Sequence, residues 1–137
     1  MATSRGRVFV SQNANAPEAS VTYKRIDTDA QPGRFVSSTT VDTTNPDHAI
    51  VTFSGYNSNT PTALGHVFDV VFDPLAGTAT WTDLSHDLGD LPITDSAYDA
   101  VTGDVYARPT SGSTASRAAR PRGRRPRTGC RAWRSTA

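Results

Sequence analysis

The chain has a single cysteine, a single glutamate and no long apolar run. Cys130 is the only cysteine in 137 residues, so no internal disulfide can form and a cysteine-based zinc cage is excluded. No apolar stretch approaches the ~20 residues that a membrane-spanning helix needs. The N-terminal MATSRGRVFV lacks the apolar h-region of a signal peptide, so an export signal is not expected. Sustained helical periodicity is missing too, which removes helical bundles and α/β architectures. Glu18 is the only glutamate, which leaves few options for paired-carboxylate catalysis.

Charge divides the chain into two unlike parts. Residues 1–107 carry five Lys/Arg (Arg5, Arg7, Lys24, Arg25, Arg34) against all thirteen Asp/Glu, a balance of −8. Residues 108–137 carry nine Arg and no acid. That segment has Trp133 as its one large apolar residue and cannot bury a core.

The first part reads as short strands separated by turns. Strands are predicted at 6–11, 20–27, 34–42, 49–55, 65–73, 78–85, 93–99 and 103–107, with TTNPDH (43–48) as a turn because Pro46 has no N–H for a ladder. HVFDVVF is apolar on both alternating faces, with Val67 and Val71 on one and Phe68, Val70 and Phe72 on the other. It predicts a strand with sheets packed on both sides. The strands also repeat. VSSTTVD (36–42) aligns with ITDSAYD (93–99) at an offset of 57, TYKRID (22–27) with TWTDLS (80–85) at 58, and GRVFVS (6–11) with GHVFDV (65–70) at 59. Four antiparallel strands per repeat is the pattern of a β-propeller blade. The expected fold is therefore all-β: an incomplete β-propeller with a disordered C-terminal tail. Blade remnants occupy 1–33, a full blade 34–86, a half blade 87–107 and the tail 108–137.

The run VDTTNPDHAIVTF … GHVF … GTATWTDLSHDLGDLPITDSAYDAVTGDVYA resembles the sialidase-like BNR-repeat propellers of bacteria, over roughly residues 2–107. Asp73, Gly77, Thr80 and Trp81 look like remnants of that family's Asp box, with a structural role. The Asp-to-Gly spacing is two residues longer, the Gly-to-Trp spacing is one longer, and Val71 replaces the serine. The resemblance implies a parent of exo-sialidase type or a non-catalytic propeller that binds a glycan or a protein. It also implies a secreted parent, and neighbouring blades as partners. The chain itself is expected to be inactive, with no catalytic, metal or cofactor residue and no membrane contact.

Four residue sets could carry chemistry. Tyr23, Tyr56, Tyr98 and Tyr106 are the candidates for a sialidase-type nucleophile, and Tyr23, aligned with Trp81, reads as an inter-blade packing residue. Asp42 and Asp99 occupy equivalent repeat positions, which points to turn geometry. His48, His66 and His86 are isolated and have no ligand spacing. Asp27/Asp29 and Asp87/Asp90 could approach a loop cation, without an EF-hand pattern.

The arginine segment offers phosphate contacts but no interleaved aromatics for stacking, so nucleic-acid binding is the third reading and disorder the expected state. The composition break falls where a third blade should continue. Read one base out of frame, with permissible codons, the tail yields strings such as D-F-G-V and G-A-T-S-W-T-P, which fit a blade. The expectation is a frame change just after the Ala107 codon. Sequencing the coding DNA checks it: a blade pattern should lie in the alternative frame, and its absence ends the idea.

Overall fold

The computed structural model describes residues 1–110 and 116–118. Among the described residues, nine strands form three antiparallel sheets. The first sheet pairs β1 (Phe9–Val10) with β2 (Lys24–Arg25). The second is a four-stranded meander of β3 (Val36–Asp42), β4 (Asn45–Phe53), β5 (Val67–Asp73) and β6 (Thr78–Asp83), hydrogen-bonded in chain order. The third joins β7 (Ile93–Asp99), β8 (Asp104–Pro109) and β9 (Ser116–Ala118). No helix among the described residues is long and apolar enough to cross a membrane.

The second sheet is buried on both faces, because its central strands are apolar on both. Val36, Val51, Phe53, Phe68 and Val70 face the first sheet and pack with Val8, Ile26 and Ala2. Ile50, Val67 and Leu84 face the third and pack with Ile93, Val105 and Ala107. Edge-to-face contacts of Phe68 with Phe53 (5.5 Å) and Trp81 (5.9 Å) fill the first interface. The two-faced expectation for β5 therefore holds at Val67, Phe68, Val70 and Phe72, but Val71 is 45% exposed. The third residue of that face is Asp69, which is buried against His48, so the face is apolar at one end only.

Turns are set by aspartate. Asp42 Oδ1 accepts from the Thr44 amide (2.8 Å) and hydroxyl (2.7 Å), closing a two-residue turn. β4 thus begins at Asn45, earlier than the predicted 49, and TTNPDH is not a turn throughout. Pro46 is tolerated because the ladder skips from Val41↔Ala49 to Asp42↔Asn45, leaving 46–48 as a bulge with no partner on β3. Asp73 and Asp99 close identical five-residue turns. Each side chain takes the amides two and three residues on, and each carbonyl accepts Gly77 or Gly103 N–H at 2.7 Å. Both glycines have positive φ, +66° and +74°.

The sheets repeat their hydrogen bonds as well as their sequence. Ile26 N–H donates to Val8 O (2.9 Å), and 58–59 residues later Leu84 N–H donates to Val67 O (2.8 Å). Val8 N–H donates to Asp27 Oδ1 (2.7 Å), and Val67 N–H donates to Ser85 Oγ (3.1 Å). Thr3 N–H to Arg7 O is matched by Phe53 N–H to His66 O. Trp81 Nε1 reaches across to Ile26 O at 3.0 Å. Its counterpart Tyr23 is 57% exposed, so the packing role expected for Tyr23 is not filled among the described residues.

The third sheet departs from the expected boundary. β8 runs on past Ala107 to Pro109, and 116–118 pair with it. The rest of the segment, and the disorder expected of it, lies outside the described residues.

Two substitutions should separate core from bracket. Ile93→Ala, at a fully buried site, should cost about 2–5 kcal/mol. Ser85→Ala, which strips a partner from two buried amides, should cost about 1–3 kcal/mol. Urea midpoints measure both, and a cost below about 1 kcal/mol for Ile93→Ala would count against the packing account.

Candidate functional site

A cleft of about 480 Å³ opens at one end of the second sheet, lined by Asn57, Leu64, Gly65, His66, Asp83, Ser85, His86 and Gly89. It forms where the β4–β5 connection and the β6–β7 connection meet. Each connection folds into a single 3-10 turn, Asn57–Asn59 and His86–Leu88. Gly65, at φ +103°, lets the chain enter β5 beside Phe68 and Asp83; a Cβ there would stand 2.6 Å from the Phe68 ring and 2.9 Å from Asp83 Oδ2.

A polar frame holds the two connections together. Asp90 Oδ1 accepts the Asn57 amide (2.7 Å) and His66 Nε2–H (3.1 Å). Those partners, with Arg34 nearby, hold the Asp90 carboxyl below its ordinary range, the Asn57 amide contributing most. Asn57 Oδ1 accepts from Gly65 N–H (3.1 Å) and Arg34 Nη1 (3.2 Å), and Arg34 Nη2 donates to the Gly65 carbonyl. Burial lowers the Arg34 pKa, and Asp90 opposes that shift. Arg34 Nε and His66 Nδ1 have no partner among the described residues.

Chemically this is a hydrogen-bonding site whose serine is not an activated nucleophile. Ser85 Oγ accepts both the His66 and Val67 backbone amides (2.7 and 3.1 Å), so its lone pairs are spent on the β5 backbone. The His66 ring points to Asp90 and not to Ser85, which breaks the relay that a serine nucleophile needs. His86 lies at φ +26°, the one non-glycine with positive φ among the described residues. It is exposed at the cleft wall, a strained backbone of the kind found at ligand sites.

A second polar cluster lies between the second and third sheets. His48 contacts Asp42 Oδ2 through Nδ1 (3.0 Å) and Asp69 Oδ1 through Nε2 (2.5 Å), and Tyr98 of β7 stands edge-on at 4.9 Å. Carboxylates only accept, so the ring serves both when it carries both protons. Burial pushes the Asp42 carboxyl up, but the Thr44 hydroxyl and amide and the His48 ring outweigh it and hold it at about 2.

The residues singled out in the sequence are scattered. Asp73 and Gly77 build the β5–β6 turn, Thr80 faces Val71, and Trp81 anchors the second sheet to the first. They do not line the cleft. Asp27 is bound by Arg25 Nε (2.9 Å), Arg7 Nη1 (3.2 Å) and the Val8 amide, with Asp29 3.8 Å from both arginines. Asp27 and Asp29 are thus partnered by arginine. Among the described residues no group of three or more His, Cys, Asp or Glu could hold a metal ion. Tyr23 and Tyr56 are exposed, Tyr98 sits on His48, and Tyr106 lies on β8. Glu18 is in a separate 3-10 turn, Glu18–Ser20. The histidines read as isolated are not all so: His48 and His66 are each bound to carboxylates 6 to 24 residues away, a pairing no local spacing could reveal.

Comparison with known proteins found no matching family model, curated protein or solved structure.

Asp42 generates a pH prediction. Its carboxyl titrates lower in the folded chain than the ordinary 3.8, so the stability it contributes is present above about pH 4 and is lost as pH falls toward 2. The stability difference between Asp42→Asn and the parent should therefore shrink across that window, as read by denaturant midpoints. A difference independent of pH would contradict it.

Proposed function

We propose that the chain is a segment of a sialidase-like BNR-repeat β-propeller, with three successive blades represented, and that it works by binding and not by hydrolysis. The observation that carries the reading is the repetition of the same hydrogen bonds from sheet to sheet: Ile26–Val8 and Leu84–Val67, Val8–Asp27 and Val67–Ser85. Repeat architectures of this kind stack equivalent sheets face to face. The turn at Asp73–Gly77, which carries two of the residues that resemble an Asp box, supports the reading because it joins the third and fourth strands of the meander.

The cleft supports a binding role for a glycan. Asn57 and His86 supply polar groups, exposed Leu64 supplies an apolar platform, and the volume suits a small ligand. Its lining holds one carboxylate, Asp83, and no tyrosine, where glycoside hydrolysis uses a carboxylate pair or a tyrosine nucleophile, which favours binding over hydrolysis. In the parent, a binding propeller or an exo-sialidase would use the same frame with residues from other blades.

A fluorogenic α-sialoside and a panel of oligosaccharides test the reading together. No turnover is expected, and amide shifts on glycan titration should concentrate at Asn57, Gly65, His86 and Gly89. Turnover that survives purification would overturn the binding role. Shifts confined to other surfaces would remove the cleft as the site. Steeply salt-dependent binding to nucleic acid, through residues beyond 108, would instead favour the basic segment.

A further inference from the structure

We infer that the cleft selects uncharged sugars, held by neighbouring hydroxyls between Asp83 and Asn57, and that Asp83 turns acidic sugars away. The inference rests on the glycan-binding reading above and adds the ligand class.

The two side chains converge on Gly65. Asn57 Oδ1 accepts from Gly65 N–H at 3.1 Å, and a Cβ on Gly65 would stand 2.9 Å from Asp83 Oδ2. A carboxamide and a carboxylate therefore approach the same point of the chain. Each has one half already committed. Asn57 Oδ1 is filled by Gly65 N–H and Arg34 Nη1, which leaves the Nδ2 donors. Asp83 Oδ1 accepts the Ser85 amide (2.8 Å), which leaves Oδ2 as an acceptor on an exposed residue. His66 adds a third group. It is fully buried in the cleft lining, gives Nε2–H to Asp90, and keeps Nδ1 as an acceptor with no partner among the described residues.

The free groups discriminate among ligands. Two acceptors and a donor suit hydroxyls, which both give and take hydrogen bonds. An ionised carboxyl only accepts, so it brings no proton to Asp83 or His66, and its charge repels that of Asp83. An ammonium only donates, so it leaves the Asn57 amide group without an acceptor. Leu64, exposed beside Gly65, gives the apolar face of a sugar ring a surface to lie on.

The other charges around the cleft do not offset Asp83, which makes no ion pair among the described residues. Asp90 is shared by the Asn57 amide and His66, with Arg34 nearby. Arg34 is 6% exposed, is not part of the lining, and donates through Nη1 and Nη2 to Asn57 Oδ1 and the Gly65 carbonyl; its unpartnered Nε is buried. His86, exposed at the wall, is the remaining group able to attract an acid.

Amide titrations of the full chain with matched methyl glycosides test the selection. The gluco, galacto and manno glycosides are each paired with the uronide, in which a carboxylate replaces the exocyclic hydroxymethyl, and with the amino-sugar analogue. At least one neutral member should shift the Asn57, Gly65 and Asp83 amides, and its uronide should bind at least about tenfold more weakly. Asp83→Asn should bring that gap below about threefold, whereas His86→Gln should leave it. Raising the salt from about 0.01 to about 1 M, which shortens the Debye length from about 30 to about 3 Å, should narrow the gap in the unsubstituted chain. That arm decides the matter if Asp83→Asn does not fold. A uronide or amino sugar bound as tightly as its neutral parent, or a gap untouched by the substitution and by salt, would overturn the inference and leave glycan binding in place. A cleft that responds to oligosaccharides but to no neutral glycoside of the set would do the same. If no sugar of any kind moves the cleft amides, the glycan reading falls and the inference falls with it.

Discussion

The structure is organised by a sheet that cannot face water on either side. Ile50, Val51, Val67 and Phe68 leave the second sheet with two apolar faces, and each face must be covered by another sheet. The first and third sheets supply that cover.

Within that frame the polar residues do two different jobs. Asp42, Asp73 and Asp99 fix strand ends by taking amides just downstream, which keeps the meander in register. Ser85, Arg34 and Asp90 act over longer distances where the sheets open into a cleft, and Asp27 does so in the first sheet, on the Val8 amide. The His48 cluster does the same between the second and third sheets, with both ring nitrogens engaged.

Much of the fold could be read from the sequence, because strand and turn signals are local. The 93–99 strand is found where it is predicted, and the 36–42 and 78–83 strands fall within the predicted spans. The end of the turn at Asp42 could not be read, since it depends on an aspartate side chain closing two residues and a bulge absorbing Pro46. The continuation of β8 into Arg108 and Pro109 was hidden by composition, which changes there although β8 stays paired with Asp95 and, across a register shift, with Ile93. The cleft was invisible for a different reason. Arg34, Asn57, His66 and Asp90 lie up to 56 residues apart and meet only after the sheets have formed.

The meander has a consequence for how the chain reaches its native state. Every strand from β3 to β6 pairs with its immediate neighbour in sequence, so the second sheet can zip up from contacts of short range. The contacts that mate one sheet to the next, such as Trp81 to Ile26 and Thr40 to Ser96, span 55 and 56 residues. Closing those long loops is the slow part of folding in proteins generally. The second sheet would therefore assemble early, with both apolar faces bare, and wait for its neighbours. A ribosome releasing this chain would hold such a sheet, paired and with its third-sheet face still sticky, before β7 had emerged.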